Sequence, residues 1–198
     1  MLEAWHFVGA ALRNGSPIPG DGEELVHEGE LVLCASGLHA SVRAIDALRY
    51  APGGTLCRVV VDGDVLYADD KLCASRRTIV WRIDASSMLR DFARRCAHSC
   101  LHLWNYPQVV ADYLSSGDDG LRSTAQAAAD AAWSTAQAAA QAAAQATAWS
   151  AADAADAAWS AAWDAAWESQ SGWLEDMATA VHDGTYEKWT PSTGGNSE

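Results

Sequence analysis

With 13 Lys/Arg against 26 Asp/Glu in 198 residues, the net charge of −13 repels phosphate backbones and anionic lipid. Nucleic acid and membrane are therefore not expected as partners. No apolar run reaches transmembrane length once alanine is discounted, and "MLEAWHFVGAALRNG" lacks a signal-peptide head, so a cytoplasmic protein is expected, in the host cell if phage-encoded. Five dispersed cysteines, an odd number, read as reduced thiols rather than a disulfide framework.

In chain order, "AWHFVGA" predicts a short strand, and "GSPIPGDGEE" is turn chemistry dominated by Pro17, Pro19, Gly20 and Gly22. "ELVLC" predicts a second short strand. "SVRAIDALRY" places Val42, Ile45 and Leu48 at helical spacing with Ser41 as N-cap, and Pro52-Gly53-Gly54 ends that helix. "TLCRVVV" and "RTIVWRI" are β-branched runs of strand length, with "DGD" as an intervening turn and "VLYADDKLCA" as a further strand or irregular crossing. From Asp84 the spacing turns helical, with Asp84 or Ser86 as cap, until Pro107 interrupts; "QVVADYL" adds further turns before "SSGDDG".

The second half has another grammar. Alanine fills 25 of the 43 positions from Ala125 to Trp167, without proline or glycine, which predicts one long helix ending near Gly172. "AAWSTAQAA", "TAWSAADAA" and "AAWSAAWDAAW" are imperfect copies of an Ala-Trp-Ser unit. Trp149, Trp159, Trp163 and Trp167 fall within an arc of about 80° on such a helix, a stripe that must be covered by the same chain, a second copy or another protein. "WLEDMATAVHDG" predicts a short final helix, and "TPSTGGNSE" a tail with nothing to bury.

The densest functional text is "CASGLHASVRAIDALRYAPGGTLCRVVVDGD". A glycine before a histidine permits a backbone conformation closed to other residues and brings N–H groups and His39 to the mouth of a cleft. The plainer alternative is a turn whose histidine bonds the backbone. The string resembles the ADP-ribosyltransferase superfamily, in which a Gly-aromatic-small-small segment opens a helix bearing a tyrosine, followed by a strand ending at glycine. That resemblance implies a nicotinamide pocket lined by Gly37, His39, Ala40 and Ser41, with Tyr50 at the helix end and His6 on the first strand at the NAD ribose. His39 replaces the usual aromatic, Phe7 stands where a glycine is frequent, and the late catalytic glutamate has no counterpart. Residues 1–85, with "GLHAS", "ALRYAPG" and "DKLCASRRTIVW", also resemble an uncharacterised small domain of bacteriophage and actinobacterial proteins that is often trailed by alanine-rich repeats.

Arg76 and Arg77 are read either as solvated strand-edge charge or as neutralising a pyrophosphate or a partner's acids. In "CAHSCLH" the cysteine pair Cys96/Cys100 and the histidine pair His98/His102 point to different sides of a helix, so no metal site is expected. The expected fold is α+β: a small mixed α/β domain (1–85), a helical connector (86–119), an alanine/tryptophan-rich helical region (121–183) and a tail (184–198). The favoured role is a non-enzymatic interaction or accessory protein without a cofactor, docking on a protein partner or forming a homo-oligomer through Trp149, Trp159, Trp163 and Trp167. The alternative is an NAD- or nucleotide-binding module using His6, Gly37, His39, Ser41, Tyr50, Arg76 and Arg77.

Overall fold

The computed structural model describes residues 1–103, 105–144 and 150–191, and for residues 133, 135–144 and 150–165 the backbone alone. The protein is α+β, and its described residues divide into two compact units. One is Met1–Leu89 with Trp167–Glu187; the other comprises the described residues of Arg90–Ala166 and those from Lys188 onward. No helix among the described residues is long and apolar enough to cross a membrane.

The first unit is built on a long hairpin, because its two β-branched runs are longer than their apolar centres suggest. Strand β4 (Thr55–Tyr67) pairs antiparallel with β5 (Leu72–Asp84) over nearly their whole length. "DGD" is not the turn expected from its composition. Gly63, at φ +75, instead forms a bulge where the register shifts between Asp62 and Val65, and the chain reverses at Ala68–Lys71. Strand β1 (Leu2–Val8) pairs with the outer edge of β4, while β2 (Glu24–Val26) and β3 (Leu38–Ala40) share the far edge of β5. The strand expected at "ELVLC" does not form. The chain turns back on itself there, with Val32 and Ser36 in an isolated bridge, and the pairing strand is the upstream Glu24–Val26.

Immediately after β3, Ser41 exchanges two backbone hydrogen bonds with Trp5 of β1, at 2.8 and 2.9 Å. The path β1–β4–β5–β3 thereby returns to β1, and the sheet curls around an interior. Strand alternation divides the side chains between its faces. Ala4, His6 and Val8 share a face with Cys57, Val59 and Val61 and with Arg77 and Ile79; six of these are packed in one apolar cluster with Ala40, Leu72 and Ala74. Trp5 and Phe7 share the other face with Leu56, Arg58, Trp81 and Ile83. Arg58 lies 4.5 Å over the Trp5 ring and Trp81 meets it edge-on.

Helix α1 (Ala44–Leu48) is short, and Ser41 is not its cap. The N-cap position is Arg43, which makes no side-chain capping bond, and the Ala44 N–H is satisfied by the carboxylate of Glu175 at 3.0 Å. Ser41 donates instead to the carbonyl of Asp70. A helix expected from local sequence is thus capped by a residue 131 positions away.

The partner segment belongs to the last long helix. Helices α2 (Ser86–Ser99), α3 (Gln108–Ser116), α4 (Asp119–Ala144) and α5 (Ser150–His182) follow the sheet in order. Gly172 does not end α5: a Cβ there would meet nothing, and the helix runs on to His182, where Gly184 at φ +71 supplies the left-handed exit. The final part of α5 completes the first unit. Leu174 and Ala178 are wholly buried, His182 stacks on Trp81 at 4.4 Å, and the Trp167 indole donates to buried Asp46, which also binds Arg43.

In the second unit, Leu101, Val110 and Leu114 form a small cluster against Ala128 and Ala129, so alanine lets α3 and α4 approach closely. Gly117, at φ +63, ends α3, and an added Cβ would lie 2.7 Å from the Arg94 guanidinium. Buried Arg94 binds Asp91 at 2.7 Å and the carbonyls of Leu114 and Trp189.

These contacts predict that the first 119 residues alone lack part of their core. Leu174→Ala is expected to lower stability by about 2–5 kcal/mol. Truncation after Asp119 is expected to abolish the cooperative urea transition followed by circular dichroism.

Candidate functional site

The curled sheet of the first unit opens onto a cavity of about 880 Å³. Of the seven residues marked from sequence as ligand-binding, His6, Gly37, His39, Ser41, Tyr50 and Arg77 all line it. Arg76 does not: adjacent strand residues face opposite ways, and Arg76 points out to Glu24 at 3.7 Å. Arg76 is a solvated charge but not at a strand edge, since β4 and β2 flank β5 there, and Arg82, clamped to Asp21 and the Pro19 carbonyl, holds a turn.

Gly37 sets the entrance. Its φ of +109 suits glycine alone, and a Cβ would lie 2.3 Å from Cys73 Sγ and 2.8 Å from Leu31 Cδ2. The turn it permits lets His39 fold back on the backbone. Its Nε2 accepts the N–H of Cys34 at 2.9 Å, and Nδ1 lies 3.2 Å from the Gly37 carbonyl. That pair of bonds assigns the proton to Nδ1 and leaves the ring face, not a ring nitrogen, for a ligand. Cys34 itself holds a φ of +67, unusual for a residue with a side chain, and its carbonyl accepts from Arg13.

Tyr50 stands at the rim, half exposed. Its hydroxyl donates to Asp70 and accepts from Lys71 Nζ at 2.9 Å, and Lys71 also lies 4.5 Å over its ring. The Tyr50 bond, with Lys71 and Arg49 nearby, holds Asp70 below the usual carboxylate range, against a smaller effect of burial. Tyr50 and then Cys34 raise Lys71. Arg13, Cys34 and Lys71 were not among the marked residues, although all three line the cavity. Lys71 is legible in sequence as part of the basic group before Arg76; no sequence signal marks a left-handed Cys34.

Arg77 lies at the interior. It is 4% exposed; one guanidinium nitrogen donates to the His39 carbonyl, and Nε is buried without a partner among the described residues. Burial pushes its pKa down to about 10. His6, from the same face of β1, is held well below 6.5, first by burial, then by the Arg77 charge and His39. His39 is also lowered: burial dominates, the Gly37 bond opposes it, and Arg77, Arg13 and Lys71 add to the lowering. Arg13 and Arg77 give the lining a positive charge, Lys71 being paired with Asp70 at 3.7 Å, and among the described residues no Asp or Glu lines it.

Residues 18–91 match the sequence profile of a family described as a domain of unknown function (DUF7666). The chain therefore carries an uncharacterised small domain. The match takes in β2 to β5 and the beginning of α2, and with them Gly37, His39, Ser41, Tyr50 and Arg77, but not His6 on β1. No curated protein and no solved structure matches the chain.

Of the tryptophan stripe, Trp149 lies outside the described residues, as do the side chains of Trp159 and Trp163. Trp167 is half-buried in the first unit, bonded to Asp46 with Arg49 5.8 Å over its ring.

Gly37→Ala is expected to lower stability by about 2 kcal/mol or more, because strain and a steric clash coincide; thermal melting checks this. Acidification should act through the histidines. Their folded-state pKa values lie below the unfolded value of 6.5, so the stability they confer is complete above pH 6.5 and is lost as pH falls below it. Urea titrations from pH 7.5 to 5 should show this loss, with a slope of up to about 1.4 kcal/mol per pH unit per histidine. His6→Gln should reduce the slope.

Proposed function

We propose that the first unit is a binding module for an anionic nucleotide of the NAD or ADP-ribose class. The observation that carries it is the convergence of His6, Gly37, His39, Ser41, Tyr50 and Arg77 on one cavity of about 880 Å³, large enough for a ligand of that size. These residues come from β1, from β3 and the turns flanking it, from the end of α1 and from β5. The likeness to ADP-ribosyltransferases supports the assignment, and the positive lining within a chain of net charge −13 favours a small anion over a polymer.

A ribose hydroxyl would find the ring of His6, for which burial favours the neutral form. An aromatic base would lie against the His39 ring face or the Tyr50 ring. We propose nucleotide binding for this cavity and assign no ADP-ribosyl transfer to it. A cytoplasmic setting, where such nucleotides are abundant, belongs to the same proposal.

Docking or self-association through the tryptophans is a separate proposal that rests on the sequence stripe. Light scattering of the full chain tests it, an oligomer abolished by Trp159→Ala and Trp163→Ala being the supporting result.

Isothermal titration calorimetry of the full chain with NAD and with ADP-ribose tests the nucleotide proposal. Saturable binding is expected, weakened about tenfold or more in His6→Ala. Absence of binding to both overturns it.

A further inference from the structure

Among the described residues two guanidinium groups are buried, and they are treated differently. Arg94, 5% exposed, is neutralised by Asp91 and also donates to two carbonyls. Arg77, 4% exposed, has one carbonyl, that of His39, and no carboxylate among the described residues. Its Nε is one of two buried side-chain polar atoms without a partner among the described residues. The other, Trp5 Nε1, belongs to a residue on the opposite face of β1.

An ionised group held out of water without a counter-charge is costly, and a buried N–H left unbonded adds to the cost. No other element of the first unit relieves Arg77. Cys57 and Cys73 are near, but burial raises both thiols, so they remain neutral. His6 and His39 are electrostatically coupled to it and are held neutral, so they neither repel an incoming anion nor neutralise the arginine. What is missing is a negatively charged hydrogen-bond acceptor, and Arg77 is among the residues that line the cavity.

We propose that Arg77 is an oxyanion subsite that takes a phosphate group of the ligand on its free Nε edge, beside His6. The inference rests on the nucleotide reading for the ligand as a whole but not for the subsite. Inorganic pyrophosphate alone would satisfy the arginine. Arginine rather than lysine suits the position because the planar fork bonds the His39 carbonyl with one nitrogen and still presents another edge to the ligand.

The phosphate also has a second effect. Neutralising Arg77 removes a positive charge that disfavours protonation of His6 and His39, so occupancy must raise the pKa of both histidines and draw in protons. Groups facing them from other elements are Arg13 and Lys71, both positive, and neither changes that sign.

The test uses the full chain. Calorimetry with pyrophosphate at fixed ionic strength is expected to show binding that falls at least tenfold in Arg77→Met and by less in Arg77→Lys. Should Arg77→Met fail to fold, histidine NMR of the unaltered protein decides: pyrophosphate is expected to move the His6 and His39 titrations to higher pH. Unchanged affinity in a folded Arg77→Met, or unmoved histidine titrations in saturating pyrophosphate, overturns the subsite. Binding of ADP-ribose no tighter than adenosine overturns it while leaving the nucleotide reading intact. Pyrophosphate binding that obeys Arg77, with no gain from adenosine or nicotinamide moieties, upholds the subsite and overturns the nucleotide reading.

Discussion

The reciprocal backbone pair between Trp5 and Ser41 determines the rest of the first unit. Without it, β1 to β5 would form an open sheet with Ser41 and Trp5 at separate edges. With it, the far edge of β5 is carried round to the first strand, and His6, His39 and Arg77 line one cavity. The serine hydroxyl reinforces the closure by donating to Asp70, whose carboxylate holds Tyr50. One residue therefore joins the seam of the sheet to the rim of the cavity. Its side chain is 2% exposed, and a bulkier residue would have to displace one of those contacts.

The two faces of the sheet solve different problems. One receives α1 and the end of α5, and its contacts run through the stacked Trp81 and His182 rings and the Glu175 carboxylate that caps α1. The other is a curled interior that mixes an apolar cluster with two neutral imidazoles and a guanidinium. Folding alone gives no reason to place that arginine there, since Leu or Met would fill the same space without desolvating a charge. Local rules broken without local compensation mark functional positions.

Much of this was legible in sequence where the signal is short-range. The β-branched runs of β4 and β5 and the alanine-rich helical stretches follow from propensity, and the α+β class with them. What failed was decided by distant residues. Ser41 looked like a cap because it precedes a helical pattern, but strand closure claimed it and Glu175 satisfied the helix. "DGD" had turn composition, yet pairing of the flanking strands continued past it and reduced Gly63 to a bulge. His6, Gly37, His39, Ser41 and Tyr50 were named through a local sequence resemblance and Arg77 through its charge, and composition alone could not have separated Arg76 from Arg77. Strand alternation makes neighbours in sequence opposites in environment, so one arginine meets water and the other none. His39 combined both readings offered for it, bonding the backbone and lining the cavity.

The first unit is also discontinuous along the chain: it is left at Leu89 and rejoined at Trp167. The intervening stretch behaves as an insertion whose two ends are already anchored. The Ala-Trp-Ser copies lie inside this stretch, and the last of them share helix α5 with the residues that complete the first unit. The short return segment bearing Leu174 and Glu175 therefore ties the folding of the first unit to chain made after the whole alanine-rich stretch.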